Sequence, residues 1–197
     1  NSRHYFTILN AFLLIASLYF YIRGEKKLFF VMILSSLIDY VAGIIIGREY
    51  EKQHNPFLSI AANNKQKIVF WTAILSNLSL LCFFKYANWG YATALEVFAS
   101  LGVNTQNNFI QSQLQITLPI GISFYTFQTM SYTIDVYRRQ VNYSKNIIDY
   151  MSYVTFFPQL IAGPIVRYID VKNQLVSRLH SFDDFVEGFK RFTIGLA

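Results

Sequence analysis

Charge is scarce in this sequence. Asp, Glu, Lys and Arg make up 14% of its 197 residues, against about 25% in a typical soluble domain. The deficit excludes an ordinary solvated surface, and 53% hydrophobic and 18% aromatic residues stand in its place. Cysteine is almost missing. Cys82 alone cannot close an internal disulfide or build a two-cysteine metal or redox motif, and its apolar neighbours predict a small buried hydrophobe. Histidine is sparse and scattered: His4, His54 and His180 have no ligand neighbours in sequence, so no metal site is expected. There is no glycine-rich phosphate cradle, no Gly-x-Ser-x-Gly elbow and no secretory signal pattern. The short run from His180 to Asp184 has a His…Asp spacing that suggests a catalytic base, but Ser181 and Asp184 are accounted for by helix capping.

What the sequence does have is apolar runs near the length that crosses a bilayer, about 20 residues. They predict spans over about 5–22, 28–47, 68–84 and 119–139, a broken segment over about 147–168, and an amphipathic helix from 182. The expected fold class is all-α, a multi-pass transmembrane helical bundle with interfacial and re-entrant or broken helices. Residues 86–103 read as a helix lying at the interface, and the Asn/Gln-rich stretch 104–113 as a loop. Pro119 suits a first helical turn, where its missing N–H is not needed. Either Ser144 or Asn146 suits the N-cap of the next helix. The helix from 182 carries Phe182, Phe185, Phe189 and Phe192 at helical spacing, with Asp183, Glu187, Lys190 and Arg191 opposite. It is either an interfacial helix or the entry to another span. The net charge of +6 points to lipid head groups as the partner of basic loops, and not to nucleic acid. Counting basic residues does not orient the chain: the turn at 23–27 has three, and the loop at 48–67 has four spread over its length. The chain starts at Asn1 and ends at Ala197 in mid-helix, and both ends read as truncated.

Polar groups inside the spans are the candidate functional residues. Gln128, Ser131, Asp135 and Arg138 recur at spacings of 3, 4 and 3, which puts them on one side of a helix. A charge in hydrocarbon costs about 2.5–3.5 kcal/mol or more, so such a stripe faces a bundle interior or a wet cavity. Either Asp135 and Arg138 line a polar pocket, or they neutralise each other at the membrane edge. Asp39, near the middle of the second span, needs a partner helix or a substrate for the same reason. In FFPQLIAGPIVRY (156–168), Pro158 and the Gly163-Pro164 pair break an apolar run that ends in Arg167. Irregular backbone at membrane depth persists only when protein buries it or it lines a cavity. The segment is thus either re-entrant or an interfacial loop. Gln128, Asp135, Arg138, Gln159, Arg167 and Asp39 are cavity-lining candidates, while Pro119, Pro158, Gly163 and Pro164 shape the backbone.

Two blocks, LPIGISFYTFQTMSYTIDVYRRQ (118–140) and FFPQLIAGPIVRY (156–168), closely resemble the membrane-bound O-acyltransferase (MBOAT) family, in the branch of the alginate O-acetyltransferase membrane subunit. LSNLSLLCFFKYANW (75–89) and FVEGFKRFTIGLA (185–197) resemble the same branch. The resemblance implies a ring of helices around a funnel, through which an acyl group reaches a hydroxyl outside the cytoplasm. The donor would be an acetyl-CoA-type thioester, used as substrate with no bound cofactor. The acceptor would be an exported polysaccharide such as alginate. The setting would be the bacterial inner membrane, with a periplasmic acetyl-handling partner protein. The family's catalytic histidine lies in a downstream helix, so no catalytic residue is expected within 1–197. Gln128 stands where many relatives carry Glu. Two other readings stay open: D-alanyl or other acyl transfer to a teichoic acid-type polymer, and a transporter or flippase built on broken helices. Residues 1–197 expressed alone in membranes are expected to be inactive, and robust acetyl turnover by them is the contrary result.

Overall fold

The first three helices contain no proline and run unbroken past the isolated charges Asp39 and Lys85. In the computed structural model, residues 2–25, 28–52, 63–101, 116–160, 163–178 and 181–196 are described. Helix α1 is Ser2–Gly24, α2 is Phe29–Lys52 and α3 is Asn64–Ser100. Each contains a stretch long and apolar enough to cross a membrane. They are followed by α4 (Ile122–Tyr137), α5 (Ile147–Thr155), α6 (Phe157–Leu160), α7 (Tyr168–Val176) and α8 (Phe182–Leu196). Among the described residues every regular element is a helix, which bears out the all-α expectation. Loop 104–113, His54 and His180 lie outside the described residues.

Two expectations about helix limits change. Residues 68–84 and 86–103 were expected as a span and a separate interfacial helix, but α3 continues through both to Ser100. Lys85 is no helix breaker, and at 1.5 Å per residue its 37 residues reach about 55 Å. Asn88 on its outer half holds the chain entering α4, accepting from Ile116 N–H at 2.9 Å and donating to Ile116 C=O at 2.8 Å. Helix α4 begins at Ile122, so Pro119 precedes the first turn instead of occupying it. The cause is Gly121, whose φ of 75° lies outside helical geometry. A Cβ there would also sit 2.6 Å from the Leu160 carbonyl oxygen.

Helix α4 is the centre of the bundle. It packs on α2 and α3 along one side and on α5 and α7 along the other. Ten of its 16 residues are buried. Its start meets the end of α1, where Tyr21 OH donates to Ile120 C=O at 2.8 Å and Ile120 N–H donates to Glu25 at 3.0 Å. Its end meets the end of α2, where Tyr50 OH donates to Tyr137 C=O at 2.8 Å. Helix α2 therefore runs parallel to α4, and α3, pinned by Lys65 to Glu49 at its own start, runs antiparallel to both.

The segment after α5 doubles back. Asn146 caps α5, its side chain accepting from Ile148 N–H at 3.0 Å. The helix stops at Thr155, because Pro158 has no N–H for the Val154 carbonyl and its ring would clash there. Phe157 N–H lies at Ser17 of α1, Leu160 at Gly121 beside the start of α4, and Arg167 at Asp135 near its end. Residues 147–160 thus run antiparallel to α4, and the chain returns along it by Arg167. Gly163 sits so close to Gln159 that a Cβ would be 2.6 Å from its Cα.

Cys82 is exposed on α3, contrary to the buried hydrophobe expected, because that face of the helix points out of the bundle with Phe83 and Trp71. Helix α8 is capped as expected, Ser181 Oγ accepting from Asp184 N–H at 3.0 Å, and none of its residues is buried.

At Gly43 the side chain of buried Tyr132 of α4 lies directly against α2: a Cβ there would stand 2.5 Å from its hydroxyl. Gly43→Val is expected to lower the thermal midpoint of the detergent-purified protein by several degrees, from about 1–3 kcal/mol of overpacking. At Gly90 an added Cβ meets nothing within 4 Å. Gly90→Ala is expected to hold or raise the midpoint. Equal tolerance of both in a thermal-shift assay would contradict this packing.

Candidate functional site

Helix α4 presents polar groups on two sides. On the side facing α2, Thr133 Oγ donates to Asp39 at 2.6 Å. The other Asp39 oxygen accepts from Asn77 Nδ2 of α3, also at 2.6 Å, and Asn77 in turn accepts from Ser35. Asp39 is wholly buried, with both oxygens engaged by protein donors. The network ties α2, α3 and α4 together where water cannot reach, and a buried carboxylate is tolerated only when so engaged.

On the other side, Gln128, Asp135 and Arg167 come together around Tyr153. Gln128 Nε2 donates to Tyr153 C=O at 2.8 Å, and Tyr153 OH donates to Val166 C=O at 2.9 Å. Arg167 pairs with Asp135 and also donates to Gln140 at 2.8 Å. Asp135 is 1% exposed and the Arg167 side chain 48% exposed, so the pair joins the interior to the end of the bundle. Arg138, one residue past α4, is exposed, and the partner of Asp135 is Arg167 and not Arg138. Gln159, on α6, borders a cavity of about 420 Å³ with Ser152, Tyr153, Phe156, Gln174 and Arg178. Its Nε2 is buried and, like Asp135 Oδ2, has no hydrogen-bond partner among the described residues. Pro158, Gly163 and Pro164 lie on the bend and return that carry Gln159 and Arg167 into place.

A second polar node was not foreseen from the sequence. Asn10 of α1 donates to Asp149 at 2.7 Å and to Leu175 C=O at 2.8 Å, accepts from Arg178, and its own carbonyl accepts from Ser152 at 2.7 Å. It joins α1, α5 and α7. The signal was available: Asn10 interrupts an otherwise apolar, uncharged run. Among the described residues no group of three His, Cys, Asp or Glu is arranged to hold a metal. His4 is exposed on the first turns of α1.

Long apolar helices around buried, hydrogen-bonded polar groups define an all-α membrane protein. Comparison with curated proteins places it more narrowly. The chain is 36% identical over 186 residues to the protein named "Probable alginate O-acetylase AlgI" of Pseudomonas aeruginosa, covering 94% of this chain and 33% of that protein. It is 49% identical over 80 residues to its namesake in Pseudomonas fluorescens, covering 41% of this chain and 16% of that protein. The "Peptidoglycan O-acetyltransferase" of Helicobacter pylori is 26% identical over 211 residues, covering 93% and 36%. No family model and no solved structure matches. The chain is a relative of the alginate O-acetylases, which bears out the resemblance to that branch of the membrane-bound O-acyltransferases, and it spans about a third of the length of the curated relatives it matches.

Removing Arg167 leaves a buried carboxylate without its cation, whereas removing the Asp135 charge leaves a half-exposed guanidinium that can turn to water. Arg167→Gln is therefore expected to lower thermal stability more than Asp135→Asn, and the double variant to recover part of the loss. Thermal unfolding of the three variants checks this, and the reverse order contradicts it.

Proposed function

We propose that this chain is part of a multi-pass O-acyltransferase of the bacterial inner membrane that transfers acetyl groups to hydroxyls of an exported polysaccharide. The observation that carries the proposal is 36% identity over 94% of the chain to a protein named for alginate O-acetylation. The donor is an acetyl-CoA-type thioester consumed as substrate, and a periplasmic acetyl-handling protein completes the pathway to the polymer. Similarity to a peptidoglycan O-acetyltransferase favours a second acceptor, since peptidoglycan and alginate both offer sugar hydroxyls. Both acceptors call for the same chemistry: a general base that takes the hydroxyl proton as the oxygen attacks the acyl carbonyl.

The contribution of the present residues is to shape the passage. Asp135–Arg167 and the Gln128–Tyr153 bond hold the hairpin against α4, and Gln159 borders the adjoining cavity with a buried amide donor that has no partner among the described residues. With the Gln159 amide turned toward the cavity, an entering acyl carbonyl would accept from it. Such a bond is worth roughly 1–3 kcal/mol when its loss leaves a buried group unpaired.

Loss of the gene's full reading frame is expected to reduce the O-acetyl ester content of the exported polysaccharide to background. Gln159→Leu in the full-length protein is expected to lower it several-fold with membrane levels unchanged. Ester content equal to the parent strain after complete deletion would overturn the proposal.

A further inference from the structure

The two ends of the bundle differ in basic residues, and the path of the hairpin widens the difference by one. At the end where α2 and α4 finish and α3 starts stand Arg48, Lys65, Lys67, Arg138, Arg139 and Lys145. The doubling back after α5 adds Arg167, which reaches Asp135 and Gln140 at that same end. Were residues 147–168 a simple crossing, Arg167 would lie at the opposite end. That opposite end has Arg23, at the close of α1, Lys26 and Lys27, which follow it in sequence, and Lys85, beside the entry to α4: four against the seven just named. The acids Glu49 and Glu51 at the basic end bind Lys65 and Lys145 but do not offset the bias, because orientation follows Lys and Arg counts and not net charge. Aromatic side chains stand among the cations there: Arg139 lies 4.0 Å from the centre of the Tyr50 ring, and Tyr143 donates to Glu51 at 3.1 Å. Tyrosines at such a level anchor a helix at the head groups.

We infer that this basic end faces the cytoplasm, its Lys and Arg side chains set against the anionic phospholipid head groups of the cytoplasmic leaflet. Anionic lipids concentrated in that leaflet attract basic side chains near its surface. The α1–α2 connection and the outer half of α3 then lie on the periplasmic side. The hairpin from α5 to Arg167 enters from the cytoplasmic side and returns to it, with the Asp135–Arg167 pair at its mouth. This rests on the reading that α1, α2 and α3 cross the membrane, and not on the identity of the acyl acceptor.

The test uses the full-length protein carrying Cys82→Ser, with one new cysteine at a time: Gly24→Cys or Ser100→Cys at one end, Asn142→Cys at the other. All three positions are exposed. Spheroplasts are treated with a membrane-impermeant maleimide before and after the membrane is opened. Gly24→Cys and Ser100→Cys are expected to label fully before opening, and Asn142→Cys at least tenfold less until opening. The opposite pattern overturns the inference, as does equal labelling of both ends. Ser100→Cys serves if Gly24→Cys fails to accumulate. An unchanged polysaccharide in a deletion strain would end the acetyltransfer proposal without altering this labelling pattern. Recovery of the protein in the soluble fraction would instead sink the spanning reading itself.

Discussion

The structure depends on satisfying buried polar groups without water. Helix α4 carries Thr133 towards Asp39 on one side and Gln128 and Asp135 towards the returning hairpin on the other. In an apolar surround each of these groups is costly unless paired, and the pairs determine which helices are neighbours. Asp39 selects α3 through Asn77 and α4 through Thr133. Asn10 selects α5 and α7 for α1. Apolar contact alone would not distinguish among these arrangements, since lipid tails are as apolar as leucine.

Close packing follows from the same constraint. Gly43 lets Tyr132 lie flush against α2, and Tyr132 then packs tilted against Tyr150 and edge-on to Tyr168, at centroid distances of 4.7 and 4.9 Å. Gly121 lets Leu160 come against the start of α4. The outgoing leg is buried from Asp149 to Thr155, whereas Pro158 at the bend and Pro164 on the return are exposed at the surface of the bundle. A broken segment of this kind leaves polar atoms beside a cavity, as the unpaired Gln159 amide does.

The similarity to proteins named for alginate O-acetylation is the ground for the acetyl transfer proposed above. The relatives are named for O-acetylation of alginate and of peptidoglycan, and the chain matches about a third of the length of each.

Fold class and the breakpoints were legible in the sequence, because run length, scarcity of charge and the positions of Pro158, Gly163 and Pro164 are local properties. So was the importance of Gln128, Asp135, Asp39 and Arg167, since a polar group within an apolar run announces a need for a partner. The identity of the partners was not. Arg138 and Arg167 are equally good cations for Asp135 on paper, and only the path of the chain brings Arg167 to it. Thr133 and Asn77 are unremarkable in sequence and become hydrogen-bond donors to Asp39 through helix placement. The residues by themselves determined that the chain is helical, apolar and interrupted. Which end is basic, and which polar groups meet, was decided by tertiary structure, because pairing depends on distance in space and the chain reverses where its prolines and glycines permit.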